Sequence, residues 1–237
     1  MNAVASKRVG DVAAQSTAAA GVLEELGIDY CCGGQRSLEE ACRDKGIQAS
    51  TVLEQVEAAE ASRKGPDRNW TEAPLTELIQ HILKSHHEYL RRELPLIAER
   101  IEAVRTAHAE QHETMLGELQ DVFEELRAEL GSHMQKEEMI LFPYVERAEM
   151  ASQAGHRAAA PPFGTFRNPI EIMEMEHDEA GRALREIRRL TEGFTLPEDA
   201  CNKFGTLYAG LKELERDMHT HIHLENNILF PRALALE

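Results

Sequence analysis

The segment His133–Pro143, HMQKEEMILFP, returns near the end of the chain as His221–Pro231, HIHLENNILFP. Both copies keep a His, a Glu four residues on, and Ile-Leu-Phe-Pro. The register around each pair constrains the fold most. Leu119, Phe123, Leu126, Leu130, His133, Glu137 and Ile140 step by three or four, as do Phe204, Leu207, Leu211, Leu214, Met218, His221, Glu225 and Ile228. That spacing marks one face of an amphipathic helix, so both pairs fall on a core-facing stripe. Two further stripes carry one His each: Ile79, Leu83, His87, Leu90, Leu94, and Met173, His177, Ala180, Leu184. His87 and His177 lie about as far apart as His133 and His221, which reads as an internal duplication. The Ile-Leu-Phe-Pro tails are expected to seal one end of the core, with Pro143 and Pro231 bending or ending their helices.

Almost nothing alternates with period two, and only 5% of residues are aromatic. The class expected is all-α. Long helices are predicted near 74–107, 111–148, 169–192 and 197–230, forming an up-down four-helix bundle over 74–237. Pro74, Pro169 and Pro197 sit near three of the starts, where a missing N–H costs little. Gly193 suits a C-terminal stop, and 151–168 is the one long connection. Ahead of the bundle, residues 1–65 read as a small helical, Cys-containing domain. Ser37 with Glu40 and Thr51 with Glu54 look like capping boxes, and DYCCGG forms a sharp turn before them. Gly65-Pro66-Asp67 marks the boundary, with 66–73 as linker.

Charge and composition exclude several classes of function. Asp and Glu number 42 against 26 Lys and Arg, a formal net charge of −16. A surface that acidic repels nucleic acid and anionic membrane, so neither is an expected partner. No apolar run approaches the ~20 residues needed to span a bilayer. The opening MNAVASKRVGDVAA lacks the apolar middle of a secretory signal, and a cytoplasmic location is expected. Four Cys in a chain of 237 residues do not make a disulfide framework, and a reducing compartment fits them better.

A bare glutamate in a bundle core costs several kcal/mol, so it must be neutralised, paired or metal-bound. The core stripes offer no Lys or Arg to either Glu, but they do offer one His per helix. Residues four apart on a helix can present two ligands to one point. His87, His133, Glu137, His177, His221 and Glu225 are therefore candidate metal ligands. His86 competes with His87, since the stripe tolerates either. Imidazole and carboxylate without thiolate suit iron best, ahead of manganese, zinc and copper. About twelve positions surround two six-coordinate irons, and four His with two bridging Glu fill about eight, leaving open places for exchangeable ligands. The remaining histidines, His81, His108, His112, His156, His219 and His223, read as solvated helix residues. Cys31 and Cys32 read either as packing residues in a tight turn or as a redox or metal-handling pair near a helix start, where the dipole lowers thiol pKa. Cys42 and Cys201 read as packing residues.

Through SHMQKEEMILFP, MEMEHDEAG and HLENNILFP, the chain resembles the hemerythrin-like bundle. Adding the DYCCGG segment, it resembles more narrowly the iron–sulfur cluster repair di-iron proteins over nearly its whole length. The resemblance implies an oxo- or hydroxo-bridged pair of non-haem irons held by His87, His133, Glu137, His177, His221 and Glu225. It implies repair of iron–sulfur clusters damaged by nitrosative or oxidative stress, with Cys31 and Cys32 as redox or transfer thiols and iron donation as one route. Nitric oxide or peroxide reduction, and oxygen or nitric oxide sensing, are the rival activities. The partners implied are damaged iron–sulfur proteins and small ligands such as nitric oxide or oxygen, and a homodimer is compatible with the sequence. Oxygen-carrying hemerythrins use five histidines; four are well placed here, which argues against simple oxygen carriage. A segment beginning near Asn69 is expected to keep every proposed ligand.

Overall fold

The computed structural model describes residues 7–62, 68–156 and 161–237. The helices are α1 Val9–Ala13, α2 Thr17–Glu25, α3 Leu38–Lys45, α4 Ala49–Ser62, α5 Leu75–Ile82, α6 Glu88–Lys136, α7 Phe142–Gln153, α8 Arg167–Leu190, α9 Asn202–Leu224 and α10 Phe230–Leu234. No named strand occurs among the described residues, so the fold is all-α as the sequence implied. No helix among them is long and apolar enough to cross a membrane. The described residues form two compact units: one holds those up to Gln80 with Tyr144–Ile170 and His219–Glu237, the other His81–Pro143 and Glu171–Met218. The expected Gly65-Pro66-Asp67 boundary lies outside the described residues.

In the first unit, α1–α4 close around Val9, Val12, Leu23, Ile28, Tyr30, Leu38, Cys42, Val52 and Val56. Ser37 makes the expected reciprocal capping box with Glu40. The second box is not found. The α4 helix already begins at Ala49, and the Gln48 carbonyl accepts from Thr51 and Val52 N–H. Thr51 is thus inside the first turn. The start of α5 is capped from far along the chain: Glu149 of α7 accepts from Leu75 N–H at 2.6 Å, Thr76 N–H at 2.8 Å and Thr76 Oγ1 at 2.8 Å. Burial raises the Glu149 carboxyl, but these donors outweigh it and keep the pKa below the ordinary value.

In the second unit, α6 breaks in two at His108 and His112, whose φ of −128° leaves the helical region. Arg105 Nη1 reaches Gln120 Oε1 at 2.7 Å across the break, so the two halves run antiparallel. Arg188 near the end of α8 pairs with Glu215 in the middle of α9. Leu94, Ile97, Ile101, Phe123, Leu126, Leu184, Ile187, Leu207 and Leu211 on these segments are buried. The break falls where the sequence separates its first two long helices. The last helix starts at Asn202 rather than 197, because Pro197 opens a turn closed by Ala200 N–H. Gly193 ends α8 as expected, with φ of 70° and its N–H on the Arg188 carbonyl.

The repeated prolines do not stop their helices. Phe142 and Phe230 N–H reach back five residues, to the carbonyls of Glu137 and Glu225, and Leu83–His87 forms a third widened turn of this π type. Pro143 and Pro231 then stand in the first turn of α7 and α10, where no N–H is required. The two copies of the widened turn differ in what covers them. Ile140, expected in the core, is 44% exposed, while Leu141 and Phe142 are buried. Its counterpart Ile228 is 3% exposed.

Candidate metal centre

His87, Glu137 and Glu225 sit in the widened turns, His133 and His221 one helical turn ahead of two of them, and His177 in the middle of α8. Such turns are rare and concentrate at functional sites. Glu137 and Glu225 are fully buried at 0% exposure, and His87, His133, His177 and His221 are buried with them. Leaving these carboxylates in a core without a charge partner would be costly.

The donors face one another closely. Glu137 Oε2 lies 3.4 Å from His87 Nε2 and 3.4 Å from His133 Nε2. His133 Nε2 and His177 Nε2 are 3.1 Å apart, and His221 Nε2 is 3.1 Å from Glu225 Oε1. Two nitrogens bound at right angles to one cation, with bonds of about 2.1 Å, would lie about 3 Å apart. Ligand atoms of His87, Glu137, His221 and Glu225 fall within 4.8 Å of one another, and so do those of His133, Glu137, His177 and Glu225. Two four-residue sets thus share both carboxylates. The donor types and their spacing fit metal cations, and imidazole with carboxylate suits iron.

The far side of two rings is fixed by residues that the stripes did not reveal. His87 Nδ1 bonds Glu138 Oε1 at 2.6 Å, and Arg91 holds both oxygens of Glu138 at 2.6 Å. His133 Nδ1 bonds Glu176 Oε2 at 2.8 Å, and Lys136 pairs with the other oxygen of Glu176. Each carboxylate orients its imidazole so that Nε2 points inward, the usual support for a metal-ligating His. Burial raises both carboxyls, but their His and basic partners outweigh it and hold them low. Glu138 directly follows Glu137, Glu176 directly precedes His177, and Arg91 lies four residues after His87. Those adjacencies were the available signal. Glu176→Gln is expected to weaken metal binding about 10- to 100-fold while leaving the fold intact, as read by competition with a chromogenic chelator.

His86 and His87 part company in the structure. His87 faces Glu137, whereas His86 Nδ1 bonds Asp217 at 2.9 Å. His223, expected to be solvated, is only 4% exposed. It packs edge-on to Tyr30 at 5.4 Å and meets the Asn227 amide at 3.0 Å, and burial pushes its pKa down to about 4. His108 is buried as well, against Phe204 at 5.2 Å. Helical periodicity misplaced both because the packing comes from segments distant in sequence.

The DYCCGG turn is organised by Asp29. Its Oδ1 accepts from Cys32 N–H and Gly33 N–H, both at 3.0 Å, and lies 3.4 Å from Cys31 Sγ. Asp29, Cys31 and Cys32 thereby bring three donor atoms together. The expected lowering of thiol pKa is not found for Cys31. The Cys32 thiol, burial and the Asp29 carboxylate push Cys31 well above the ordinary value. The turn is no helix start, since α3 begins only at Leu38. The widened turn between α9 and α10 holds it: Asn226 Nδ2 donates to the Cys31 carbonyl at 3.3 Å, and Asn227 Nδ2 to the Tyr30 carbonyl at 3.0 Å.

Comparison with known proteins agrees with this geometry. Residues 78–233 match the hemerythrin HHE cation binding domain, and residues 5–60 match a domain of unknown function (DUF542). Similar chains include the iron–sulfur cluster repair protein YtfE of Pectobacterium carotovorum subsp. carotovorum, 38% identical over 232 residues and 97% of each chain. The proteins of the same name from Escherichia coli O8 and Shigella boydii serotype 4 are each 37% identical over 229 residues, again 97% of each chain. A match this long, reaching from the DYCCGG turn to the second His-Glu pair, places the chain in the iron–sulfur cluster repair family of proteins with a hemerythrin HHE cation binding domain.

Proposed function

We propose that this protein repairs iron–sulfur clusters damaged by nitrosative or oxidative stress, using two non-haem irons held by His87, His133, Glu137, His177, His221 and Glu225. The observation that carries this reading is the pair of four-residue donor sets sharing Glu137 and Glu225. When bound, the irons supply redox and ligand-exchange chemistry. The side chains do the rest. Glu137 and Glu225 balance cation charge in the core, while Glu138 and Glu176 hold the His87 and His133 rings with Nε2 inward. With neither set using thiolate, iron should exchange more readily than from a Cys-ligated cluster, which suits donation to a damaged client.

Cys31 and Cys32 are the transfer thiols in this reading. With the Cys31 pKa raised, an attacking thiolate is the weaker role, and metal handling with Asp29 the stronger one. None of the four cysteines forms a disulfide, consistent with work in a reducing compartment such as the cytoplasm. The test mixes the iron-loaded protein with a dehydratase whose cluster has been inactivated by nitric oxide, adds a reductant and follows recovered activity. Wild type restores activity and Glu137→Ala does not. A Cys31→Ser/Cys32→Ser pair keeps its iron but repairs several-fold more slowly. Catalytic consumption of nitric oxide without restored activity would replace repair with reduction.

A further inference from the structure

Cys201, expected to pack in the core, is exposed. It immediately precedes α9, a helix of 23 residues, and lies against the break in α6. His108 Nε2 is 3.1 Å from Cys201 Sγ. On the other side of the same ring, His108 Nδ1 lies 3.8 Å from Asp199 Oδ2. Asp199 in turn bonds His112 Nε2 at 2.9 Å. The cysteine and the carboxylate therefore address opposite nitrogens of one imidazole. That arrangement does not converge on a single cation. The thiol and the imidazole are within hydrogen-bond reach, the pairing that activates a cysteine nucleophile, while Asp199 bonds His112 through both oxygens and stands beyond the far nitrogen of His108 as a nearby anion. His108 is held in place by its edge-on contact with Phe204 and by its burial at the break.

We propose that Cys201 is a reactive-thiol site for low-molecular-weight disulfides, with His108 as its proton acceptor and Asp199 as a nearby anion that favours the protonated imidazole. His108 Nε2 takes the thiol proton as Cys201 Sγ attacks one sulfur of RS–SR. The S–S bond of the reagent breaks as the Cys201–S–SR bond forms. The departing RS⁻ takes the proton from His108 and leaves as RSH. Cys201 is oxidised to the mixed disulfide, and one half of the reagent is reduced to thiol. A second thiol reverses the exchange by the same steps.

The surroundings support this chemistry. The His108 contact first, then N–H groups of Phe204 and Lys203 at the start of α9, lower the Cys201 pKa to about 7. The ionisable groups beside the thiol are His108 and His112 from the α6 break, and Asp199 and Lys203 from the segment around the α9 start. Cys31 and Cys42 are shifted the other way, Cys31 first by Cys32 and Cys42 by burial. Thiolate reactivity should therefore separate Cys201 from both.

The experiment treats the full-length protein with 4,4′-dithiodipyridine between pH 5 and 9, following thiopyridone release and locating the adduct by peptide mass spectrometry. Cys201 is expected to be modified first, with a rate that rises through an inflection near pH 7. Cys201→Ser removes that phase. His108→Gln moves the inflection toward the ordinary thiol value of about 8.5 and slows the reaction at pH 7 roughly tenfold. First modification at Cys32, or a wild-type inflection above pH 8, overturns the proposal. The wild-type profile decides this even if His108→Gln folds poorly.

Discussion

Glu137→Ala is expected to take the bound metal from about two ions per chain to one or none, since the residue belongs to both donor sets. Glu225→Ala should do the same for the same reason. The loss should also appear as stability. A cation present at a thousand times its Kd stabilises the folded chain by about 4.1 kcal/mol. The variants should forfeit their share, and a chelator should lower the melting temperature of wild type more than theirs. Glu137→Gln separates charge from packing, because it keeps the volume and removes the anion. Metal content by elemental analysis and melting curves with and without chelator make the check. A Glu137→Ala protein with wild-type metal content would remove Glu137 from the ligand set.

Gly10→Ala and Gly34→Ala form the second large effect. A Cβ on Gly10 would meet Asn227 Oδ1 at 2.2 Å, and one on Gly34 would meet the same oxygen at 2.3 Å. Asn227 cannot swing away without leaving the Tyr30 carbonyl, to which it donates at 3.0 Å. Overpacking of this kind costs about 1–3 kcal/mol in each variant. The two should differ in rescue. Around Gly10, the severe contacts are with the Asn227 side chain, so Asn227→Ala should recover most of the loss in the double variant. Around Gly34, a backbone oxygen, that of Tyr30, also stands at 2.9 Å, and recovery should be partial. Urea unfolding of the single and double variants closes the cycle. Fully additive costs at Gly10 would mean that Asn227 is not the obstacle.

The sequence made the bundle readable because its stripes are long and regular. Leu119, Phe123, Leu126 and Leu130 carry the register directly into His133, and all four are buried. The register was misread at Ile140, where the α period gives way to a π turn, but held at Ile228 in the equivalent turn, so the packing around each copy, not the turn alone, decides which face is covered. No apolar pattern announces the π turn; only the proline at 143 hints at it. Support for the centre was harder to see. Glu138 and Glu176 sit on polar faces next to the ligands, and their role depends on Arg91 and Lys136 as well as on the rings. The Cys201–His108 contact joins residues 93 apart in sequence through a helix break, beyond the reach of any local period. Glu149 is similar: its task is to cap the start of another helix, and nothing near it in sequence shows that helix.

The widened turns also change what the repeated segment can tolerate. In an ordinary helix, deleting one residue rotates everything downstream by about 100° and turns the buried face outward. Within Glu137–Leu141 or Glu225–Leu229 a helix already carries one residue more than the α period needs. Removing it would let the backbone close as regular α-helix while α7 or α10 kept its orientation. The cost would fall on the orientation of the buried Glu and the packing of the turn. A one-residue gap at these two places is therefore a change of centre before it is a change of fold.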